Sequence, residues 1–219
     1  MTEHSIDANK SYWDEFYKNF QRRTPSQFCV SVITDLEAGS PIVELGSGNG
    51  RDSFFFAEQG CPTVAMDASQ TAIQKCNEYS DAHAISLSHF MQGDITKKED
   101  VASAASIART KSPFGIITMY SRFVMHSLDD DQQTSFLQAL GACSQPNDIA
   151  YFEFRSQGDA SLEKYYGGHY RRYVDTERFL ADLADVAGFH STYSITGQGM
   201  ARFKAEDPVV SRIIAIRQP

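Results

Sequence analysis

Short apolar segments alternate with helical patterns along most of this chain, and this alternation constrains the fold more than any other feature. The apolar segments are candidate strands, and the residues between them show the spacing of amphipathic helices. In order, the strand candidates read PIVEL, PTVAM, LSHFMQ, FGIITMY, DIAYFEF, HSTYSIT and VVSRIIAIR. Strands that alternate with helices are typical of a parallel sheet with helices on both faces. We therefore predict an α/β fold.

Two further helices precede the first strand candidate. The segments ANKSYWDEFYKNF and SQFCVSVITDLEA have helical spacing and are separated by Pro25. Near the other end, DTERFLADLADVAGF predicts a helix with Asp175 or Thr176 near its N-cap and Gly188 at its C-terminal stop. No linker or repeat divides the chain. We predict one domain over residues 1–219, with a helical cap at 1–39 and the core at 40–219.

Charge and cysteine content exclude several classes of function. The formal net charge of -8 over 219 residues opposes attraction to polyphosphate chains, so a nucleic-acid partner is disfavoured. The four cysteines are widely spaced with no C-x-x-C pair, so we predict neither a zinc site nor a disulfide framework, and no metal. No apolar segment is long enough to span a membrane and no secretory signal precedes the domain. We expect a cytoplasmic protein that acts away from membranes.

The segment VELGSGNGRD, residues 43–52, places three glycines within five residues between a strand and a helix. Glycine lets the backbone turn sharply and approach a ligand closely, while the helix N-terminus faces that ligand. The dinucleotide fingerprint is G-x-G-x-x-G, whereas this segment reads G-x-G-x-G with Arg51 where the third glycine would stand. A nucleotide-like ligand is predicted, but a pyrophosphate is poorly matched.

Three acidic side chains stand at the ends of neighbouring strand candidates. Glu44 precedes the glycine turn, Asp67 ends the second strand and Asp94 follows the third. The carboxyl ends of parallel strands meet at one edge of the sheet, so these side chains should converge there. Three carboxylates would repel a pyrophosphate but suit a ligand with an ammonium group, a ribose diol and an adenine amino group.

The motifs VELGSGNG, AMDAS and QGDI, in this order, resemble those of the class I S-adenosylmethionine-dependent methyltransferases. The resemblance runs from Tyr12 to Arg217 and implies a Rossmann-like, seven-stranded, mostly parallel sheet whose last strand is antiparallel. It also implies that S-adenosylmethionine binds with its amino-acid part at the glycine loop, its ribose at Asp67, and its adenine at Asp94 and Ile95. The cofactor-binding residues predicted in this way are Glu44, Gly46, Ser47, Gly48, Gly50, Asp67, Ala68, Asp94, Ile95 and Tyr120.

Positive charge gathers after strands four and five, where the resemblance places the methyl acceptor. The segments YSRFVMHSL, EFRS and YYGGHYRRY supply these side chains. Arginine forks match phosphate and carboxylate groups, so we predict a small anionic acceptor. We predict catalytic roles for Arg122 and His126, and acceptor binding by Arg122, Arg155, His169, Arg171 and Arg172.

Several of these residues have a second interpretation. Arg171 and Arg172 could instead be solvated or paired with neighbouring acids, and His126 could pack or cap a turn. Asp52 is either a charge that complements a helix dipole or a cofactor ligand. Gly60 is interpreted as the end of a helix. The aromatic residues Tyr12, Trp13 and Tyr17 recur at helical spacing, which predicts either a helix packed on the core or a lid over the site.

The segments PSQF, GNGRDSFFFAEQG, YSRFVMHSL, HYRRY and EDPVVSRIIA resemble a bacterial subgroup of these methyltransferases. That subgroup is associated with surface polysaccharide and phosphate-containing glycan biosynthesis, which implies a phosphorylated or sugar-linked acceptor. Two other functions stay open. A nicotinamide-dependent oxidoreductase shares the glycine turn and the acid about twenty positions on, and a non-catalytic protein could bind S-adenosylmethionine without turnover.

Overall fold

The computed structural model describes residues 3–20, 23–165 and 170–219. The helices are Glu3–Asn19 (α1), Gln27–Ile33 (α2), Arg51–Glu58 (α3), Gln70–Ala82 (α4), Lys98–Arg109 (α5), Asp130–Cys143 (α6) and Thr176–Ala187 (α7). The strands are Ile42–Leu45 (β1), Thr63–Asp67 (β2), Ser88–Gln92 (β3), Thr118–Arg122 (β4), Ile149–Arg155 (β5), Phe189–Gly197 (β6) and Val210–Arg217 (β7). Short 3-10 turns at Met125–Ser127 and Gln157–Asp159 follow β4 and β5.

The seven strands form one sheet in the order β3-β2-β1-β4-β5-β7-β6. The pairs among β1 to β5 are parallel, and β7 runs antiparallel to both β5 and β6. The predicted fold, a mostly parallel seven-stranded sheet with the last strand antiparallel, is therefore confirmed. Its parallel strands bring the carboxyl ends of β1, β2, β3 and β4 to a common edge.

The fourth strand begins later than the apolar segment predicted. The segment FGIITMY starts at Phe114, whereas β4 starts at Thr118. Phe114 is 86% exposed and Ile116 is 38% exposed, so these apolar side chains lie in a surface loop. At this position, a run of apolar residues is therefore not sufficient evidence for a buried strand.

Apolar side chains fill both faces of the sheet. On one face, Val43 of β1 lies in a cluster with Leu137 of α6 and Leu183 of α7. On the other face, Ile42 packs in a second cluster with Phe56 of α3. Burying a side chain of this size stabilises the fold by about 1.5–3 kcal/mol. Burial on both faces explains why the central strands read as nearly continuous apolar runs.

Polar residues set where several helices begin and end. Ser26 and Asp175 accept a backbone N–H bond as the N-caps of α2 and α7, and Asp129 forms a capping box with Gln132 at the start of α6. Each such cap contributes about 1 kcal/mol. Gly188 ends α7 in the left-handed conformation. The predicted cap near Asp175 and the predicted stop at Gly188 are both confirmed.

Helix α1 is anchored at the carboxyl edge of the sheet. The carboxylate of Asp14 accepts hydrogen bonds from the Ser69 hydroxyl at 2.5 Å and from the backbone N–H of Thr71 at 3.3 Å. These two donors belong to the first turn of α4, directly after β2. The anchor therefore holds α1 over the residues that follow Asp67.

The cysteines are all free, with Cys29, Cys61 and Cys76 buried and Cys143 half-buried. Burial raises the pKa of the Cys143 thiol to about 11 and that of Cys76 to about 12, so both stay protonated near neutral pH. Within residues 3–20, 23–165 and 170–219, no group of three or more His, Cys, Asp or Glu side chains has an arrangement that could hold a metal ion. No helix in these ranges combines the length and the apolar character needed to cross a membrane.

Candidate functional site

A cavity of about 570 Å³ opens at the carboxyl edge of the sheet. This volume falls within the range of about 300–1,000 Å³ that is typical of small-molecule sites. Its walls come from the loop after β1, the residues that follow β2, β3 and β4, helix α1, and the connection between β6 and β7. The predicted site residues that line it are Glu44, Gly46, Ser47, Gly48, Asp67, Ala68, Asp94, Ile95, Arg122, His126, Arg155 and Arg171. The predicted cofactor and acceptor residues thus face one shared cavity.

The loop after β1 depends on two left-handed glycines. Gly46 has φ 85° and Gly48 has φ 52°, a region that residues with a Cβ rarely adopt. A Cβ at Gly46 would overlap a methyl group of Val124, and a Cβ at Gly48 would overlap the hydroxyl of Tyr17. Only glycine at these positions lets β4 and α1 approach the loop so closely.

Gly50 has a different structural role from Gly46 and Gly48. It is the N-cap of α3 with φ 71°, and a Cβ there would press on Phe90 and Cys76 beneath the loop. It does not line the cavity. The turn and the packing under it account for this glycine, and its contact with the cofactor stays a prediction.

The three acids converge at the cavity as the strand ends predict. The carboxylate of Asp67 accepts hydrogen bonds from the backbone N–H groups of Gly48 at 2.8 Å and Ser69 at 2.9 Å. The carboxylate of Asp94 accepts from the backbone N–H of Thr96 at 2.9 Å and from its hydroxyl at 2.7 Å. The Ser53 hydroxyl donates to the buried carboxylate of Glu44. These bonds fix the orientation of all three carboxylates.

The polar groups in the cavity wall around the glycine loop suit a ligand that carries a positive charge. Burial raises the pKa of the Glu44 carboxyl well above its usual range and also raises that of Asp67. A positive charge in the cavity would lower both values again. The Ser47 hydroxyl is buried and has no hydrogen-bond partner among the described residues. An unsatisfied buried hydroxyl is costly, so a ligand atom that bonds to it would be stabilised.

Helix α1 supplies an aromatic wall to the same cavity. Successive pairs four residues apart stack, with ring centroids 6.0 Å apart for Trp13 and Tyr17 and 4.8 Å apart for Phe16 and Phe20. These four residues and Tyr12 line the cavity. Of the two interpretations of the aromatic spacing, the placement favours a cover over the site rather than a purely structural stripe.

Tyr120 belongs to the core and not to the cavity wall. Its ring is fully buried between Phe28 and Phe56, at centroid distances of 5.3 and 5.1 Å. Its hydroxyl donates to the carboxylate of Asp52 at 2.8 Å. The prediction that Tyr120 binds the cofactor is therefore corrected. Alternation along β4 turns this side chain towards α2 and α3.

Arg122 lies at the end of β4 in a buried charge network. Its Nε donates to Glu153 at 2.7 Å, and the other oxygen of Glu153 accepts from Nε of Arg212 at 2.7 Å. Burial opposes the charge on Arg122, but Glu153, Asp52 and Tyr120 together outweigh burial, so the pKa of Arg122 is raised. Among the described residues, the terminal nitrogens of Arg122 have no recorded hydrogen-bond partner. Arg122 lines the cavity with its charge held in place from behind.

The ring of Phe123 contacts two arginine side chains at this end of the cavity. It adopts φ 58°, which is unusual for a residue with a bulky side chain and is typical of functional sites. The guanidinium groups of Arg122 and Arg155 lie 4.0 and 5.3 Å from its ring centroid. His126 packs edge-on against the same ring at 5.4 Å. One strained aromatic residue therefore holds three predicted site residues together.

Arg155 is paired on two sides. Its Nη1 donates to Asp159 at 2.7 Å, and its Nη2 donates to Glu206 at 2.5 Å. Lys164 also pairs with Asp159, at 3.2 Å. Breaking such a buried pair leaves an uncompensated charge, so these contacts hold the guanidinium in one position. Arg155 contributes a fixed positive charge to the cavity wall.

Arg172 ties two segments together outside the cavity wall. Its backbone N–H donates to the carbonyl of His126 at 2.7 Å, and its guanidinium bonds to Gln133 and pairs with Asp130. It does not line the cavity, so the prediction of a substrate ligand is corrected in favour of the paired interpretation that the sequence left open. Its neighbour Arg171 does line the cavity. The predicted ligand His169 lies outside the described residues.

Some of the lining residues were not predicted. The connection between β6 and β7 contributes Ala201, Arg202, Phe203 and Glu206. The backbone N–H of Arg202 donates to the side chain of Gln27 at 3.1 Å, which joins this connection to the start of α2. No local pattern in the sequence signals a contact across such a separation.

The sequence profile of a family described as "Methyltransferase domain" matches residues 17–193. No curated protein matches the sequence.

Similar folds occur among solved structures. A S-adenosylmethionine-dependent methyltransferase from Anabaena variabilis has a TM-score of 0.71 and 16% identity over 97% of this chain and 94% of that chain. The methyltransferase CcbJ from Streptomyces caelestis has a TM-score of 0.66 and 15% identity over 94% and 96%. The glycopeptide N-methyltransferase MtfA, in complex with S-adenosylmethionine, has a TM-score of 0.65 and 14% identity over 90% and 95%. Because the sequence identities are this low, the similarity to these structures shows the fold alone.

Proposed function

Because this chain belongs to the methyltransferase domain family, we propose that it transfers a methyl group from S-adenosylmethionine to a small anionic acceptor. The observation that carries the proposal is the glycine-lined cavity that Glu44, Asp67 and Asp94 share with the buried Ser47 hydroxyl. Three carboxylates suit a cofactor with an ammonium group, ribose hydroxyls and an adenine amino group. MtfA, whose fold is similar, has been solved with S-adenosylmethionine bound.

The residues of the chain fit this cofactor by chemistry. Gly46 and Gly48 leave room beside the loop, Asp67 offers carboxylate oxygens suited to a diol, and Asp94 with Ile95 offers an acceptor beside an apolar surface. When bound, S-adenosylmethionine supplies an electrophilic methyl group on a sulfonium sulfur. The aromatic wall of α1 excludes water from the cavity and presents ring faces that attract a cation.

Methyl transfer depends mainly on alignment, and the acceptor end of the cavity provides it. Phe123 and Glu153 hold Arg122 in a fixed position, and the contact between Arg172 and the His126 carbonyl fixes the turn that carries His126. We assign to Arg122 the orientation of the acceptor. To His126 we assign the removal of a proton where the acceptor atom carries one.

The charges at this end support an anionic acceptor. Among the lining residues contributed by β4, β5 and later segments are four arginines, Arg122, Arg155, Arg171 and Arg202, and one carboxylate, Glu206. The carboxylates of Glu153 and Asp159 lie behind this wall and offset part of the charge. The acceptor end of the cavity therefore keeps a net positive charge, although the whole chain has a formal net charge of -8. A phosphorylated, carboxylated or sugar-linked acceptor, as in surface glycan modification, fits this polarity.

Titration of S-adenosylhomocysteine, the reaction product, into the purified protein tests the proposal. We expect a dissociation constant on the order of micromolar, followed by transfer of labelled methyl groups to members of an acceptor panel. Absence of binding would contradict the proposal, and a thermal shift with NAD would then support the nicotinamide alternative. Binding without transfer to any acceptor would instead support a non-catalytic protein.

Binding of this product should strengthen as the pH rises from acid. Burial raises the pKa of Glu44 and Asp67 in the free protein, so both keep protons to higher pH, and the ammonium group of the ligand must displace them. Affinity should therefore increase from about the ordinary carboxyl pKa of 4 upwards and level off above the raised values. Calorimetry in buffers of different ionisation enthalpy should report proton release. Glu44→Gln should reduce that release, and an unchanged release would remove Glu44 from the cofactor site.

Anion binding at the acceptor end can be measured before the acceptor is identified. Inorganic phosphate should bind to the complex with S-adenosylhomocysteine, and Arg171→Gln should weaken it about tenfold, the effect of losing one charge-assisted contact. Arg178→Gln is the matched control, because Arg178 pairs with Asp182 on the exposed surface of α7. Equal phosphate affinity in the wild type and Arg171→Gln would argue against an anion site at Arg171.

A further inference from the structure

We infer that Asp52 is a positioning residue that locks the turn at residues 24–27 against the cofactor cavity and thereby slows release of the cofactor. The inference rests on the proposed function for the identity of the ligand. Asp52 is the second residue of α3, directly after the glycine loop, and is only 3% exposed. Neither interpretation offered by the sequence, a helix-dipole charge or a cofactor ligand, describes what its carboxylate contacts.

Both carboxylate oxygens of Asp52 are occupied by donors from the protein itself. One oxygen accepts the backbone N–H of Ser26 at 2.7 Å. The other accepts the Ser26 hydroxyl at 2.7 Å and the Tyr120 hydroxyl at 2.8 Å. Three donors thus converge on one buried carboxyl group, whose two oxygens accept all three hydrogen bonds.

The contact with Ser26 decides where the turn lies. The Ser26 hydroxyl also accepts the backbone N–H of Cys29 at 2.9 Å, so the same side chain caps α2 and binds Asp52. Residues 24–27 line the cavity. At the preceding residue, the guanidinium of Arg23 donates to the carbonyl of Asn49 in the glycine loop. The turn is thus tied to the cofactor loop at two points, one of them through a buried carboxylate.

Release of a ligand from this cavity requires one of its walls to move. The sheet edge and the glycine loop are continuous with the core, whereas the turn at 24–27 is held to them through Asp52 and Arg23. Asp52 and Ser26 both line the cavity, but the carboxylate oxygens of Asp52 accept from Ser26 and Tyr120, so breaking the contact between Asp52 and Ser26 frees this wall. The dissociation rate, rather than the association rate, should register the change.

The test compares dissociation rates of S-adenosylhomocysteine and backbone hydrogen exchange in variants. Asp52→Asn keeps the shape but turns one acceptor oxygen into a donor, which leaves Ser26 or Tyr120 without its partner. We expect dissociation to accelerate by roughly tenfold or more, the effect of losing one charged hydrogen bond. Exchange of the amides of residues 23–33 should accelerate as well, while exchange in α6 stays at the wild-type rate.

Asp148→Asn is the matched control. Asp148 is equally buried, and its carboxylate accepts from Arg109 and from the backbone N–H of Ile117, beside the amino end of β5. This variant should lose stability yet keep the wild-type dissociation rate. A general loss of stability would accelerate release in both variants, whereas a positioning role does so only in Asp52→Asn.

Each remaining outcome is decisive. Wild-type dissociation and wild-type exchange at residues 23–33 in a folded Asp52→Asn would overturn the inference. If Asp52→Asn does not fold, Tyr120→Phe removes one donor to Asp52 and leaves the N-cap of α2 intact. Faster exchange at residues 23–33 and faster dissociation of S-adenosylhomocysteine in Tyr120→Phe would then support the inference, and wild-type values of both would overturn it. If the wild type does not bind S-adenosylhomocysteine, the proposed function fails, while exchange in the free protein still tests the contact between Asp52 and Ser26.

Discussion

Gly48→Val is expected to abolish binding of S-adenosylmethionine and S-adenosylhomocysteine. The residue adopts φ 52°, where a β-branched side chain is a true outlier, and its new Cβ would occupy the place of the Tyr17 hydroxyl. The loop or helix α1 must shift to relieve this overlap, and either shift changes the wall that the ligand contacts. Isothermal titration should show at least a hundredfold loss of affinity, roughly 2.7 kcal/mol.

Gly60→Val separates this local effect from backbone strain in general. Gly60 also has positive φ, 85°, but a Cβ there meets nothing within 4 Å. It follows the end of α3, so the interpretation of Gly60 as a helix stop is confirmed. This variant should lose stability yet bind the ligand normally. If Gly48→Val also binds normally, the glycine loop does not contact the cofactor and the site must lie elsewhere.

Glu153→Ala is expected to produce the largest loss of stability. Glu153 is 1% exposed and accepts from both Arg122 and Arg212 at 2.7 Å. Its removal leaves two largely buried guanidinium groups without their shared counterion. Breaking a buried ion pair in this way costs about 3–5 kcal/mol. Urea denaturation should show the free energy of unfolding reduced by that amount.

Asp130→Ala provides the comparison for Glu153→Ala. Asp130 also pairs with an arginine, Arg172, but its side chain is 63% exposed. Exposed ion pairs contribute about 0–1 kcal/mol, so this variant should stay close to the wild type. Equal losses in the two variants would mean that the network around Glu153 is solvated and does not hold Arg122 rigidly.

The sequence predicted the local parts of the fold well because their signals are short-range. Helix α7 lies within the predicted segment DTERFLADLADVAGF, since its N-cap Asp175, its stop Gly188 and its apolar spacing are all part of that segment. The predicted start of β4 was wrong, because the side chains of Phe114 and Ile116 are exposed, which only the tertiary structure shows. The sheet order followed from the family resemblance and not from the alternation of strands and helices.

For the candidate site, too, the predictions based on local signals were better than those that depend on distant partners. Glu44, Asp67 and Asp94 follow directly from strand ends, so topology alone brings them together. Tyr120 and Arg172 were misplaced because their partners, Asp52 and Asp130, lie 68 and 42 residues away and nothing local identifies them. Sequence patterns show which residues could carry chemistry, whereas the pairing of charges requires the folded chain.

The hydrogen bond between Gln27 and Arg202 bears on the stage of folding at which the cavity is complete. It spans 175 residues and closes the cavity between the start of α2 and the connection from β6 to β7. Contacts of such high sequence separation form late, because a long loop must be closed before they can contribute. A chain still emerging from the ribosome can assemble β1 to β5 and the glycine loop, but its cavity lacks a wall until the final hairpin is added. We therefore expect ligand binding to appear only when the fold is complete.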